Sequence, residues 1–477
     1  MNVIKIAGLI SAMLVTGCSV FPQYVKPEIK TPETWQAKLP HDGKLAELQN
    51  WWSQFNDPVL NQLIDAAQAD SPTLDIALAN IKTARANITT AQAQGLPSLT
   101  GNASATRSKS TSGVSTGSGG IVNSISGSLD ATWEIDLFGG IGFSKQAAQA
   151  RLEAQQTSWH DARVSLAAEV ATNYVSYRAC QMNVTSYQKA LDSKKETARL
   201  TNVLAQAGFT PPADAALSEA SLRASESTLI SQQAQCDVTA KSLVALTNLA
   251  EPALRDLLNA SAVLPQPTEF SIASLPASLL LQRPDLVVDE RSLAAASADI
   301  GVATANRYPT ISLLGSIGRT NVSSGGSSSS GNTWSFGPSI SLPIFDAGQR
   351  KAEVTKAEAS YEIALATYQQ DVRNAVKEVE QSLINLESAN QRENAERISK
   401  EQYAKYYQAA EINWRAGGLS LLSLEDARRQ MIDAEISYIN QQQNQVQYWI
   451  ALYKALGGGW QAENSKLQDK TDTKVNE

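Results

Sequence analysis

Hydrophobic and polar positions alternate strictly in four short stretches of the chain. Ser98, Thr100, Asn102, Ser104 and Thr106 interleave with Leu99, Gly101, Ala103 and Ala105. A return stretch sets Leu129, Ala131, Trp133, Ile135 and Leu137 against Ser128, Asp130, Thr132, Glu134 and Asp136, after a Ser/Gly-rich connection from Ser108 to Gly120. The design recurs with Ile311, Leu313, Gly315 and Ile317, then a Ser/Gly tract from Ser323 to Gly331 expected to be a connection. Trp334, Phe336, Ile340, Leu342 and Ile344 follow, against Ser335, Gly337, Ser339 and Ser341. A period of two marks a strand with one apolar and one polar face. About ten residues per strand, with aromatics near the ends, suit a strand that meets lipid on one side and water on the other. A soluble sandwich would accept any one of these strands. Four cannot close a membrane barrel, because an open edge in hydrocarbon leaves backbone groups unpaired, so several copies are expected to build one barrel together.

After each strand pair the pattern turns polar and helical. The stretches from Gly139 to Gly208 and from Ala347 to Gly417 lack proline and are rich in Ala, Gln, Glu and Lys. At ~1.5 Å per residue each spans on the order of 100 Å, too long for the inside of a compact domain. Returning helices are expected from Ala213 to Ala250 and from Leu419 to Leu456, where Gly457-Gly458-Gly459 stops the second. Helices from Pro58 to Gly95 and from Pro284 to Asn306 precede the strands.

The chain is therefore written twice. A shift of 212 positions lays Pro72, Leu74, Ala84, Ala86, Ile88, Ala91, Pro97 and Arg107 onto Pro284, Leu286, Ala296, Ala298, Ile300, Ala303, Pro309 and Arg319. That period far exceeds the roughly 20 to 50 residues of solenoid repeats, and reads as one structural half used twice. The expected boundaries are a signal peptide at 1–17, an equatorial segment at 18–56, a helix at 57–96, a β-hairpin at 97–138 and a long helical hairpin at 139–250. After a linker at 251–277 the order repeats: helix 278–308, β-hairpin 309–346, helical hairpin 347–456 and an equatorial tail at 457–477.

Composition adds limits. With a net charge of -7 over 477 residues and no long run of one sign, nothing favours nucleic acid. Aromatics at 6% suit thin helices with small contacts better than a thick core. Gly139-Gly140-Ile141-Gly142 lacks the rest of a phosphate loop, and His41 and His160 have no partners at metal-ligand spacing. No catalytic constellation, metal site or cofactor site is expected. At the N-terminus, Lys5 precedes an apolar run from Ile6 to Val15 that ends in Leu14-Val15-Thr16-Gly17-Cys18. This is a lipoprotein signal, with Cys18 as the lipidated first mature residue. Ser19 is not the aspartate that retains lipoproteins in the inner membrane, so lipid anchorage in the outer membrane is expected.

Taken together, the Cys18 lipobox, Trp51-Trp52-Ser53-Gln54-Phe55-Asn56-Asp57, WEIDLFG from Trp133 to Gly139, Leu281-Gln282-Arg283-Pro284-Asp285, Tyr308-Pro309, LPIFDAG from Leu342 to Gly348 and Ala455-Leu456-Gly457-Gly458-Gly459-Trp460 resemble the outer-membrane factors of the TolC superfamily. The likeness is to the lipidated OprM type. It implies a membrane β-barrel plus an all-α coiled-coil tunnel. A homotrimer would form a twelve-stranded barrel and a twelve-helix periplasmic α-barrel, with a small mixed equatorial domain. The implied partners are a periplasmic adaptor and an inner-membrane efflux transporter of the resistance-nodulation-division type, and the implied role is a passive exit duct for efflux. Alternatives are a type I protein secretion channel and, in another class, a structural coiled-coil envelope lipoprotein. The resemblance also places a periplasmic gate at the hairpin turns. It points to Asp426 and Asp214 as acidic gate residues, with Arg415 placed to pair with an aspartate of a neighbouring helix. Ser423 stands where a relative carries an acid.

Cys180 and Cys236 lie symmetrically about Gly208, so antiparallel helices would bring them to one height. Either a disulfide or two small apolar contacts satisfies that spacing.

Overall fold

A computed structural model describes residues 24–28, 48–109, 121–259, 263–266, 280, 282–324 and 327–459. Cys18, His41 and Trp460 lie outside them. Two compact units result, the first Met1–Glu28, Ala79–Gln156 and Val288–Gln369, the second Ile29–Leu78, Thr157–Val287 and Gln370–Glu477.

The helices are α1 (Pro58–Ala69), α2 (Pro72–Ala93), α3 (Gly140–Gln206), α4 (Pro212–Thr247), α5 (Glu251–Asn259), α6 (Pro284–Ala305), α7 (Gln349–Arg415) and α8 (Leu421–Ala455). The strands are β1 (Ser98–Lys109), β2 (Ile121–Ile135), β3 (Thr310–Ser324) and β4 (Ser327–Ser341). Helices α3 and α7 have 67 residues each, and α4 and α8 have 36 and 35. The helical hairpins of the two copies thus match in length to within one residue per helix.

The segment 57–96, expected as a single helix, is two. Pro72 removes a donor and restricts Ser71, so α1 stops and Ser71 Oγ accepts from Leu74 N at 3.4 Å to start α2. Asp57 begins α1, its Oδ1 accepting from Val59 N and Leu60 N at 2.9 and 3.1 Å.

In the first unit the strands form one antiparallel sheet in the order β1-β2-β3-β4, so β2 and β3 stitch the two copies together. The tract from Ser323 to Gly331 is largely strand, contrary to expectation. Pairing continues to Ser324 opposite Ser327. Serine and glycine are weak strand formers, but ladder bonds to a paired neighbour override that preference. At its other end β4 stops at Ser341, short of the expected Ile344, because its partner β3 begins at Thr310 opposite Ser341.

In the second unit, Trp51 packs against Trp449 and Tyr453 at ring distances of 6.0 and 5.3 Å, and Trp52 meets Tyr453 edge-on at 4.7 Å. Arg283 forks onto Asp285, pairs with Glu378 at 2.9 Å and donates to the Ala455 carbonyl at 3.0 Å, capping the end of α8. Gly458 sits beside this cap at φ +65°, where an added Cβ would overlap the Val164 side chain. Gly458→Ala is therefore expected to cost about 2–4 kcal/mol, from a left-handed backbone and an overpacked contact together. A thermal unfolding midpoint equal to that of the unaltered protein would refute this.

Candidate functional site: the two-faced sheet and the helical tips

The register sorts the sheet into two faces. On one face lie Ile135, Ile311 and Ile340, then Trp133 and Leu313, then Leu99, Ala131, Gly315 and Phe336, then Gly101, Leu129, Ile317 and Trp334. Many of these side chains are exposed in the single chain, Trp334 at 81% and Ile340 at 68%. The opposite face carries Thr100, Asn102, Ser104, Ser126, Ser128, Asp130, Thr132, Glu134, Ser312, Ser316, Ser335 and Ser339. Asp130 is pinned there by donors from three strands: Asn102 Nδ2 at 2.7 Å, Ser128 Oγ at 2.8 Å and Ser316 Oγ at 2.6 Å. Hydroxyl and amide donors hold a carboxylate in place without neutralising it.

Each long helix leaves the sheet through an aspartate cap that the alternation pattern did not reveal. Asp136, expected as a strand residue, accepts from Ile141 N and Gly142 N at 3.1 and 2.7 Å. Asp346 accepts from Gly348 N and Arg350 N at 3.0 and 3.3 Å in the second copy. The findable signal was an aspartate just ahead of a glycine and a proline-free polar run.

At the far end both long helices stop in the same way. Gly208 and Gly417 adopt φ +79° and +77°, and Phe209 N and Gly418 N each reach back five residues, to Leu204 O and Asn413 O at 2.9 Å. This left-handed cap suits glycine and turns the chain sharply into the returning helix. Asp214 lies in the first turn of α4 and accepts from Thr210 Oγ1 at 2.9 Å. Asp426 lies near the start of α8, where Arg429 at 2.6 Å and Gln430 hold its carboxyl below the usual carboxylate range. Within the single chain Arg415 pairs with Glu411 one turn earlier on its own helix at 2.8 Å. A partner at i−4 is the nearest anion such a helix end can offer. Ser423 N binds the Ser420 Oγ cap at 3.1 Å.

The strongest polar cluster near the tips is one that the sequence pattern does not single out. Arg428 is 1% exposed, yet it is charged. It pairs with Glu425, donates to Thr197 Oγ1 at 2.8 Å and Ser193 Oγ at 3.2 Å, and lies over the Tyr407 ring at 5.4 Å. Glu425 in turn meets Lys194 Nζ at 3.6 Å and accepts from Ser221 Oγ at 2.8 Å. Burial pushes the Lys194 ammonium down from its ordinary value, with Glu425 pulling the other way. The cluster ties α3, α4, α7 and α8 together.

Farther from the turn, Cys180 on α3 and Cys236 on α4 are joined as a disulfide, with Cα atoms 5.6 Å apart. Burial and the neighbouring Arg163 push His160 down to about 4. Among the described residues no metal-ligating cluster occurs, and no helix is long and apolar enough to cross a membrane.

Residues 63–249 and 275–458 match the family described as outer membrane efflux protein. The chain is 30% identical over 469 residues to the solvent efflux pump outer membrane protein SrpC of Pseudomonas putida, covering 96% of this chain and 98% of that protein. It is 29% identical over 466 residues to nodulation protein T of Rhizobium leguminosarum bv. viciae, covering 97% and 95%. The solved outer-membrane channel OprN shares 30% identity and a TM-score of 0.79, over 93% of this chain and 100% of that one.

Proposed function

Because this chain belongs to the outer membrane efflux protein family, we propose that it works as a homotrimeric exit duct of a tripartite efflux pump. The observation that carries this reading is the two-faced sheet with free outer strands, in one chain with two 67-residue helices. Strands β1 and β4 each need a partner before the sheet can enter hydrocarbon. Three copies supply twelve strands, within the range of closed membrane barrels. Their apolar rows then meet lipid, and the serine and threonine rows line a wet lumen.

The same three copies contribute four long helices each to a tunnel that ends at the glycine turns. Asp214 and Asp426 at those turns form the acidic constriction, and Cys18 carries the lipid anchor. A periplasmic adaptor and an inner-membrane transporter of the resistance-nodulation-division type supply the cargo and the energy. In this assignment the duct performs no covalent chemistry.

The decisive experiment joins function to assembly. Deletion should sensitise cells to several toxic compounds, and the purified protein should run as a heat-sensitive trimer that conducts in planar bilayers. A protein that is monomeric and silent in bilayers would overturn the duct. The pinned carboxylate gives a finer test. Asp130→Lys should lower the cation-to-anion permeability ratio by at least about twofold, since three copies add six units of positive charge to a narrow wet passage. An unchanged reversal potential in a salt gradient would remove Asp130 from the path.

A further inference from the structure

Charges on the sheet are segregated by face as well as by row. The polar face carries Asp130 and Glu134 and no cation among its strand residues. The apolar face carries Arg107, Lys109 and Arg319 and no acid among its strand residues. All three cations are exposed and lie toward the hairpin turns, away from the helices. Arg319 stands in the first row beyond Ile317 and Trp334, level with Ala103, Gly127 and Asn332. Arg107 lies two rows farther out, level with Asn123 and Ser323, and Lys109 one row beyond, opposite Ile121. At the other end the same face runs out through Ile135, Ile311 and Ile340 with no cation.

From this arrangement we propose that Arg107, Lys109 and Arg319 form a contact surface for the phosphate groups of the phosphorylated glycolipid that fills the outer leaflet. The proposal rests on the membrane reading above, which turns the apolar face to lipid; with the helices on the periplasmic side, the opposite ends of the strands, at the hairpin turns, face the cell exterior. A lipid-facing cation is costly at the bilayer midplane and nearly free at the interface, and these three stand in the rows where Asn332, Asn321, Asn123 and Ser323 replace most of the apolar side chains and Ile125 and Ile121 remain. Trp334, one row inside Arg319, suits the same boundary. Among the described strand residues of this face only the outward end is cationic, so the surface matches a leaflet whose headgroups are dense in phosphate. A generally sticky surface would place cations at both ends. Strand spacing and rise put Arg319 on the order of 15 Å from Arg107, so separate phosphates can be met at once.

The test uses the assembled full-length protein in detergent, titrated by native mass spectrometry with bisphosphorylated lipid A, its dephosphorylated form and phosphatidylglycerol. The unaltered protein should prefer the bisphosphorylated lipid to the dephosphorylated one by roughly 100-fold, taking about a fivefold gain per cation. R107Q/K109Q/R319Q should abolish that preference while keeping bilayer conductance. Equal binding of both lipid A forms by the unaltered protein would overturn the proposal, and needs no variant to fold. Equal binding of phosphatidylglycerol and bisphosphorylated lipid A would overturn the choice of glycolipid, and a triple variant that discriminates as before would overturn the choice of residues. Loss of conductance in the unaltered protein would instead strike the duct reading.

Discussion

Glu425→Ala should loosen the packing of the α7–α8 hairpin against the α3–α4 hairpin by about 3–5 kcal/mol, and should raise resting conductance. Removing one member of a buried ion pair leaves the other charge without compensation, and that is costlier than losing the pair. Arg428 would retain Thr197, Ser193 and the Tyr407 ring, but its Glu425 carboxylate would be gone. Lys194 would lose the anion that offsets its burial. The control is Glu425→Leu combined with Arg428→Met, which replaces charge by similar volume and should lie within about 1–2 kcal/mol of the unaltered protein. Limited proteolysis near Gly417 and open probability in planar bilayers read the two outcomes. If the single variant is as closed and as protected as the unaltered channel, Glu425 does not hold the tip. If the double variant is as leaky as the single, the effect is one of packing, not of stranded charge.

Breaking the Cys180–Cys236 bridge should be nearly as costly. With a sequence separation of 56, chain-entropy arguments assign the cross-link about 4 kcal/mol against the unfolded chain. Cys180→Ala with Cys236→Ala should therefore lower the unfolding midpoint and speed cleavage within α4, and a reductant should do the same to the unaltered protein. Matching melting curves with and without reductant would show that the thiols stay free or that the bridge is idle. No cysteine is available to α7 and α8. Reduction is thus expected to soften one hairpin and leave the other unchanged, which hydrogen exchange can resolve.

Much of this architecture was legible because two solvents write two periods into the chain. Lipid and lumen impose alternation on Leu129 to Ile135 and on Ile311 to Ile317, while a long solvated helix imposes only the absence of proline and an excess of Ala, Gln, Glu and Lys. The glycine turns at Gly208 and Gly417 were legible because few other residues take a positive φ at low cost. The strand character of Ser323 to Gly331 was not, since its order comes from a paired neighbour and not from its own side chains. Arg428 was hidden for a related reason. On a polar helix a charged side chain reads as solvated, and only the three-dimensional approach of Ser193, Thr197 and Tyr407 makes it a core residue. Arg415 shows how a local contact enters, because Glu411 one turn earlier on the same helix holds it within the single chain.

The free outer strands β1 and β4 carry a genetic consequence. Their mutual pairing is head to tail, and a ring closed by such contacts needs every seam intact. A chain damaged at either edge still offers the other, so it can join a growing ring and then block closure. When intact and damaged chains are made together, complete rings should fall with the cube of the intact fraction. A lesion at a sheet edge would then behave as dominant, whereas a lesion confined to one hairpin tip would be diluted among sound neighbours.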